Sequence, residues 1–270
     1  MPVVPALRSA RRRAPARTGR PGHLPALVRI GHKGAAALAE GNTPASFDAA
    51  LEAGVDMIEF DVLRDAAGRL VLAHDPEDAA ARDPASLDAG LDHLAGSDYA
   101  ATELDVDVKH PGFEPELVAA LRARGLEHRT LVSSTFPVTL ERIGELAPGM
   151  RRGLSVPRAR RDYLRSVLAP PAMAYMAAVR ARLPGRAARL IAGGRIEAVM
   201  AHWLLTGPRL VSAVHRAGGR VFVWTVDDAE RVARLAALGV DGVITNDPRL
   251  FVAPLGSDES NPGGPAARGV

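Results

Sequence analysis

From Leu27 onward the chain alternates short apolar runs, rich in β-branched residues, with longer Ala- and Leu-rich stretches. The runs LVRIGH (27–32), MIEFDVL (57–63), LDVDVK (104–109), TLVSS (130–134), RRGLSV (151–156), IEAVMAH (196–202), RVFVWTV (220–226) and GVDGVITN (239–246) have the length of buried strands. Between most of them a helical pattern recurs, over 43–54, 114–125, 137–146, 207–217 and 227–238. In the first of these Thr43 is a natural N-cap, Pro44 suits the first helical position and Gly54 suits the stop. Strand–helix alternation predicts parallel strands with helices packed outside. Counting RLVLAH (69–74) as a hairpin return after MIEFDVL leaves eight strands. Eight such units in about 225 residues have the size of a TIM barrel. No GxGxxG follows the first strand, so an open doubly wound sheet has little support. The expected fold is an α/β (β/α)8 barrel over 27–255, with a hairpin return after the second strand and a basic helical insertion after the fifth.

Two strands break the apolar pattern. In MIEFDVL, Ile58, Phe60 and Val62 share one face while Glu59 and Asp61 share the other. LDVDVK repeats this, with Asp105, Asp107 and Lys109 opposite Leu104, Val106 and Val108. Both faces of a parallel barrel sheet are covered, so these carboxylates would point inward, where they are costly unless paired or bound to a cation. Three or four inward carboxylates offer enough oxygen for a hard divalent ion, Mg²⁺ or Ca²⁺. A solvated amphipathic strand pair would show the same alternation. His32 and His74 tilt the balance, because each ends a strand beside the carboxylate pair, on the face where barrel active sites lie. Two imidazoles near a cation suit phosphodiester cleavage: one takes a proton from the nucleophile, the other protonates the leaving alkoxide.

Composition removes several classes. The absence of cysteine excludes disulfides, a thiolate nucleophile, an iron–sulfur cluster and Cys-ligated zinc. The formal charge of +3 over 270 residues conceals four blocks: +7 over 1–30, −13 over 31–150, +10 over 151–195 and −1 over 196–270. Residues 1–26 read as a disordered basic tail and 256–270 as a disordered C-terminal one. No apolar run follows the first positive charges, and the longest charge-free stretch, 166–179, has 14 residues with Pro170 and Pro171 inside it. That is short of a membrane span, so a soluble, cytoplasmic protein is expected. The basic segment is either a solvated helical insertion or a peripheral membrane contact through 158–195. In the second case Tyr163, Leu164, Met173, Tyr175 and Met176 would form an apolar stripe beside the arginines. Nucleic acid is not an expected partner, because no stacking aromatics interleave with those arginines. Ser133, Ser134, His110 and His202 also end strands, while Thr225 and Asn246 are expected only to close the barrel rim. The oligomeric state is left open.

Taken in order, IGHKG, GNTPASFDAALEAGVDMIEFDV, GRLVLAHDP, LDVDVK, VFVWTVDD and GVDGVITNDP resemble the glycerophosphodiester phosphodiesterase family of the phospholipase C-like phosphodiesterase superfamily. The resemblance runs from about Val28 to Leu250 and nearly vanishes over 157–195. It implies that His32 and His74 are the general acid/base pair and that Glu59, Asp61 and Asp107 hold a divalent metal. It further implies that Lys33 and Lys109 meet the phosphate and that Trp224 lies at the pocket rim. The implied reaction is metal-dependent hydrolysis of a small glycerophosphodiester to glycerol 3-phosphate and an alcohol. A lysophospholipase D-like enzyme at a membrane surface, or an inactive phosphate-binding barrel, are the alternatives. Four departures from the family's usual pattern stand out. Lys33 replaces an Arg, which gives up bidentate gripping of a phosphate. Gly41 stands where a Glu is usual, with Glu40 one residue earlier, and no ligand role is transferred to it. Asp107 replaces a Glu and shortens the reach by one methylene. Only 27 residues separate Pro76 from Leu104, which implies a more open alcohol pocket.

Overall fold

The computed structural model describes residues 27–157 and 169–251. The expected tails 1–26 and 256–270, together with Tyr163 and Leu164, lie outside the described residues. Each apolar run forms a strand: β1 (Val28–Gly31), β2 (Met57–Arg64), β3 (Leu70–Val71), β4 (Glu103–Val108), β5 (Thr130–Ser134), β6 (Arg151–Val156), β7 (Ala198–His202), β8 (Arg220–Trp224) and β9 (Gly242–Thr245). All but β3 run parallel, and β1 pairs with both β9 and β2, which closes an eight-stranded barrel. β3 is the expected hairpin return, antiparallel to β2 with Leu63 opposite Val71. The helices are α1 (Pro44–Glu52), α2 (Pro76–Ala81), α3 (Leu87–Leu94), α4 (Glu114–Ala123), α5 (Pro137–Leu146), α6 (Ala169–Ala192), α7 (Pro208–Arg216) and α8 (Ala229–Leu238). Thr43 caps α1 as its sequence suggests: its side chain accepts from the Ser46 amide, and Ser46 Oγ answers the Thr43 amide.

The period-2 alternation sorts side chains as expected. Ile58, Phe60, Val62, Leu104, Val106 and Val108 are buried on the outer face, against Phe47, Leu117 and Leu121 of the helices. The barrel interior is apolar at its floor, filled by Ile30, Met57, Leu131, Met200, Phe222 and Ile244. A glycine makes that filling work: a Cβ on Gly242 would stand 2.8 Å from the Phe222 ring. Further along the same strands, towards their C-terminal ends, the inward positions turn polar, and there the candidate site lies.

The basic segment differs from its expected form. Leu183, Ala187 and Ile191, four residues apart, are buried against the barrel with α7 as neighbour. The second half of α6 is therefore the ordinary crossover helix between β6 and β7, with arginines on its outer face. What is unusual is its length, 24 residues against nine or ten in α1, α4, α5, α7 and α8. At 1.5 Å per residue it spans about 36 Å. Its N-terminal turns lie at the C-terminal rim of the barrel, where Arg180 donates to the Leu204 carbonyl just after β7. The expected apolar stripe is split: Met173 and Tyr175 are 54% and 50% exposed, whereas Met176 packs towards the core. No helix among the described residues is long and apolar enough to cross a membrane.

Candidate active site

β2 and β4 run in register, with Glu59 beside Asp105 and Asp61 beside Asp107. Because the side chains of neighbouring strands point the same way, four carboxylates converge inside the barrel mouth. Glu59, Asp61 and Asp107 each offer an oxygen within 4.8 Å of the others'. Asp61 is fully buried and held from two sides. Asn42 Nδ2 donates to its Oδ2 at 3.0 Å, and its own amide donates to Asn42 Oδ1 at 2.9 Å. Lys109 Nζ stands 2.6 Å from Asp61 Oδ1 and 2.7 Å from Asp107 Oδ2, and Lys33 Nζ is 3.9 Å from Asp61 Oδ2. Glu59 Oε2 accepts the Lys33 amide at 2.9 Å.

Asn42 is a site residue that the sequence reading missed. Its φ of 61° and that of Lys33, 52°, lie in the left-handed region, which costs a non-glycine residue energy. Both residues sit in the β1–α1 connection, where that backbone aims one amide at Glu59 and one carboxamide at Asp61. The signal was an Asn, tolerant of this conformation, directly before the Thr43 cap. Glu40 stays outside the carboxylate cluster, 3.7 Å from Arg82, in keeping with the ligand role withheld from it.

The electrostatics are those of a place with too much negative charge. Burial, reinforced by Asp61, holds the Glu59 carboxyl well above the usual range. Burial also opposes the charge on Asp61, but Lys109 and Lys33 outweigh it and hold that carboxyl low. Burial raises Asp107 despite Lys109. Lys109 is likewise desolvated, yet Asp107 and Asp61 keep its ammonium charged. Asp105 is the extreme case, 1% exposed and pushed up to about 8 by burial and then by Asp107, with Ser133 opposing the rise only in part. Hard oxygen donors, buried and under-neutralised, fit a divalent cation.

Asp105→Asn is therefore expected to stabilise the metal-free protein. The folded state holds this carboxyl near 8, whereas an unfolded chain holds it near 3.9. The fold then carries the extra proton, and this group makes stability fall as pH rises between those values. Urea melts in EDTA should show the variant's advantage growing by about 2–4 kcal/mol from about pH 5 to about pH 8. A pH-independent difference would contradict the assignment.

Both histidines reach the same cavity, of about 830 Å³, which opens at the C-terminal end of the strands and is also lined by Glu59, Asp107, Lys109 and Trp224. His32 continues β1, with Nδ1 2.6 Å from Asn246 Oδ1 and Nε2 3.9 Å from Glu59 Oε2. Burial pushes its imidazolium down to about 4, so the ring is neutral at physiological pH. His74 follows the hairpin, half-exposed, with Nδ1 2.9 Å from Asp75 Oδ2 and its amide donating to Asp78 Oδ2. Trp224 donates its indole N–H to the Met200 carbonyl at 2.8 Å and packs edge-on against His202. Ser133 and His110 line the cavity, while Ser134 is structural, donating to the Val108 carbonyl. Asn246 does more than close the rim, since it bonds directly to His32.

The glycerophosphoryl diester phosphodiesterase family model matches residues 32–93 and 97–250. A glycerophosphodiester phosphodiesterase of Caldanaerobacter subterraneus subsp. tengcongensis is 28% identical over 257 residues, covering 83% of this chain and 95% of that protein. Among solved structures, a glycerophosphodiester phosphodiesterase of Agrobacterium tumefaciens superposes with a TM-score of 0.61 at 21% identity, over 83% of this chain and 98% of that one. A phosphodiesterase of Oleispira antarctica, solved with its product sn-glycerol-3-phosphate, gives 0.60 at 20% identity, over 85% and 96%. The barrel, the six motifs in order and the match across both stretches lead to one conclusion: this chain belongs to the glycerophosphoryl diester phosphodiesterase family.

Proposed function

We propose that the protein hydrolyses glycerophosphodiesters to glycerol 3-phosphate and an alcohol, with Mg²⁺ or Ca²⁺ held by Glu59, Asp61 and Asp107. The observation that carries this reading is the convergence of His32, His74, Glu59 and Asp107 on one cavity, with an oxygen of the buried Asp61 within 4.8 Å of the other two carboxylates'. The product seen in the Oleispira enzyme supports the substrate class. When bound, the cation would supply Lewis-acid stabilisation of charge on the phosphoryl oxygens. His32, neutral and with Nε2 turned to the cavity, accepts the proton of the attacking water as its oxygen bonds to phosphorus. The bond from phosphorus to the alcohol oxygen breaks, and His74 Nε2 gives its proton to that oxygen. Asp75 Oδ2, 2.9 Å from His74 Nδ1, orients that ring. One water is consumed, and the two rings return to their starting states by proton exchange with solvent. Lys33 and Lys109 add positive charge beside the phosphate, and Trp224 walls the rim.

The deciding assay is release of glycerol 3-phosphate from glycerophosphocholine and glycerophosphoethanolamine, with Mg²⁺, with Ca²⁺ and with EDTA. Turnover with at least one ion and none in EDTA is expected. No turnover under any condition would overturn the proposal and leave a phosphate-binding barrel.

One observation favours a second reading, in which the substrate is a lysophospholipid met at an anionic membrane surface. The rim end of α6 exposes Met173 and Tyr175 beside Arg180 and Arg182, and α6 contains no acidic residue. Co-sedimentation with phosphatidylglycerol vesicles at low salt is expected on this reading, and its loss in Met173→Asp/Tyr175→Asp. Wild-type protein that stays in the supernatant would exclude it.

A further inference from the structure

We propose that Asn246, itself oriented by Asp227, is the positioning residue that decides which nitrogen of His32 carries the proton. Three neighbouring strands supply the chain of contacts: β1 leads to His32, β9 to Asn246 and β8 to Asp227. Asp227 Oδ2 accepts from Asn246 Nδ2 at 2.7 Å. Its Oδ1 accepts from the Asn246 amide at 2.8 Å and from Thr245 Oγ1 at 3.0 Å. A carboxylate can only accept, so the NH₂ end of the Asn246 carboxamide must face Asp227. The oxygen end is then turned on His32 Nδ1, 2.6 Å away. An amide oxygen has no proton to give, so Nδ1 must be the donor. In the neutral ring Nε2 is then left bare, with its lone pair on the side of Glu59, which lines the cavity. The contacts fix the orientation of the carboxamide and the donor at Nδ1, and the start of the chain is a residue that does not line the cavity. The backbone reinforces the placement, with the His32 amide donating to the Thr245 carbonyl and the Ala37 amide to the Asn246 carbonyl.

The inference rests on the reading of His32 as the base, because only an Nε2 lone pair can take the nucleophile's proton. It adds that the polarity of a remote carboxamide sets that lone pair. Asp227→Asn puts an amide nitrogen opposite Asn246 Nδ2. The Asn246 carboxamide then rotates and offers N–H to His32, which forces the wrong tautomer. Asn246→Asp alone sets two carboxylates face to face. The double variant Asn246→Asp/Asp227→Asn restores an acceptor towards His32 and a donor towards that acceptor.

The test has two independent readouts. In nitrogen-15 NMR of the metal-free protein, His32 is expected to show a protonated, pyrrole-type Nδ1 and a bare, pyridine-type Nε2, and Asp227→Asn should exchange or average the two signals. In steady-state kinetics, Asp227→Asn and Asn246→Leu should each lower kcat by about 10- to 100-fold, with KM within twofold, while the double swap recovers most of the loss. A wild-type His32 that is protonated on Nε2 would overturn the proposal without any variant. So would a double swap no better than either single change while His32→Ala is inactive. Full activity in His32→Ala would instead overturn the role of His32 as base, and the NMR result would still decide the tautomer claim.

Discussion

His74→Ala is expected to lower kcat on glycerophosphocholine by about 10²- to 10⁴-fold, yet to cost far less on a glycerophosphodiester that releases p-nitrophenol. Choline leaves as an alkoxide that needs a proton as its bond to phosphorus breaks, whereas p-nitrophenolate is stable without one. His32→Ala removes the acceptor for the nucleophile's proton, so it should impair both substrates alike. The two histidines thereby become distinguishable, and the structure says why they should differ. His32 Nδ1 lies against a neutral carboxamide and His74 Nδ1 against a carboxylate. Equal losses on both substrates in His74→Ala would remove it from the leaving-group side.

Asp61→Ala is expected to be the most damaging single change at the carboxylate cluster. The residue is fully buried, and three groups depend on it: the Asn42 carboxamide, the Lys109 ammonium and one corner of the acidic triad. Breaking a buried pair from one side costs about 3–5 kcal/mol, because the remaining charge stays desolvated. Chemical denaturation in EDTA should show that loss, and titration calorimetry should show divalent binding weakened by at least about 100-fold. Asp61→Asn keeps the volume and one acceptor, so it should recover part of the stability but little of the affinity. An alanine variant that binds Mg²⁺ or Ca²⁺ as tightly as wild type would dismiss this cluster as the cation site.

Much of this was legible from residue order alone. The barrel followed from strand and helix periods, because every crossover obeys the same packing rule, and the inward aim of Glu59, Asp61, Asp105 and Asp107 followed from the pleat. Asn42 and Asn246 were not legible as site residues, because their roles depend on where an amide points. Asn42 reaches Asp61 through a left-handed loop, and Asn246 reaches His32 across 214 positions of chain. Nor did the pattern separate α6 from an insertion. Its buried stripe of Leu183, Ala187 and Ile191 is narrow, and the surrounding arginines mask it in any average over the segment.

The β2–β3 hairpin also bears on how such an enzyme can change. Past its two carboxylates β2 turns into an arm whose small cluster of Leu63, Val71, Ala73 and Ala79 is separate from the two clusters between barrel and helices and from the one inside the barrel. The arm ends at His74, and the mostly exposed stretch beyond it, 76–83, lies outside the closed ring of strands and ahead of α3, whose Leu87, Leu91 and Leu94 pack in the main core. Residues can be gained or lost there without reopening barrel closure, while His74 remains on the same continuous backbone as Glu59 and Asp61. Length can drift at the arm's tip, while the spacing of Glu59, Asp61 and His74 is kept by one continuous stretch of chain.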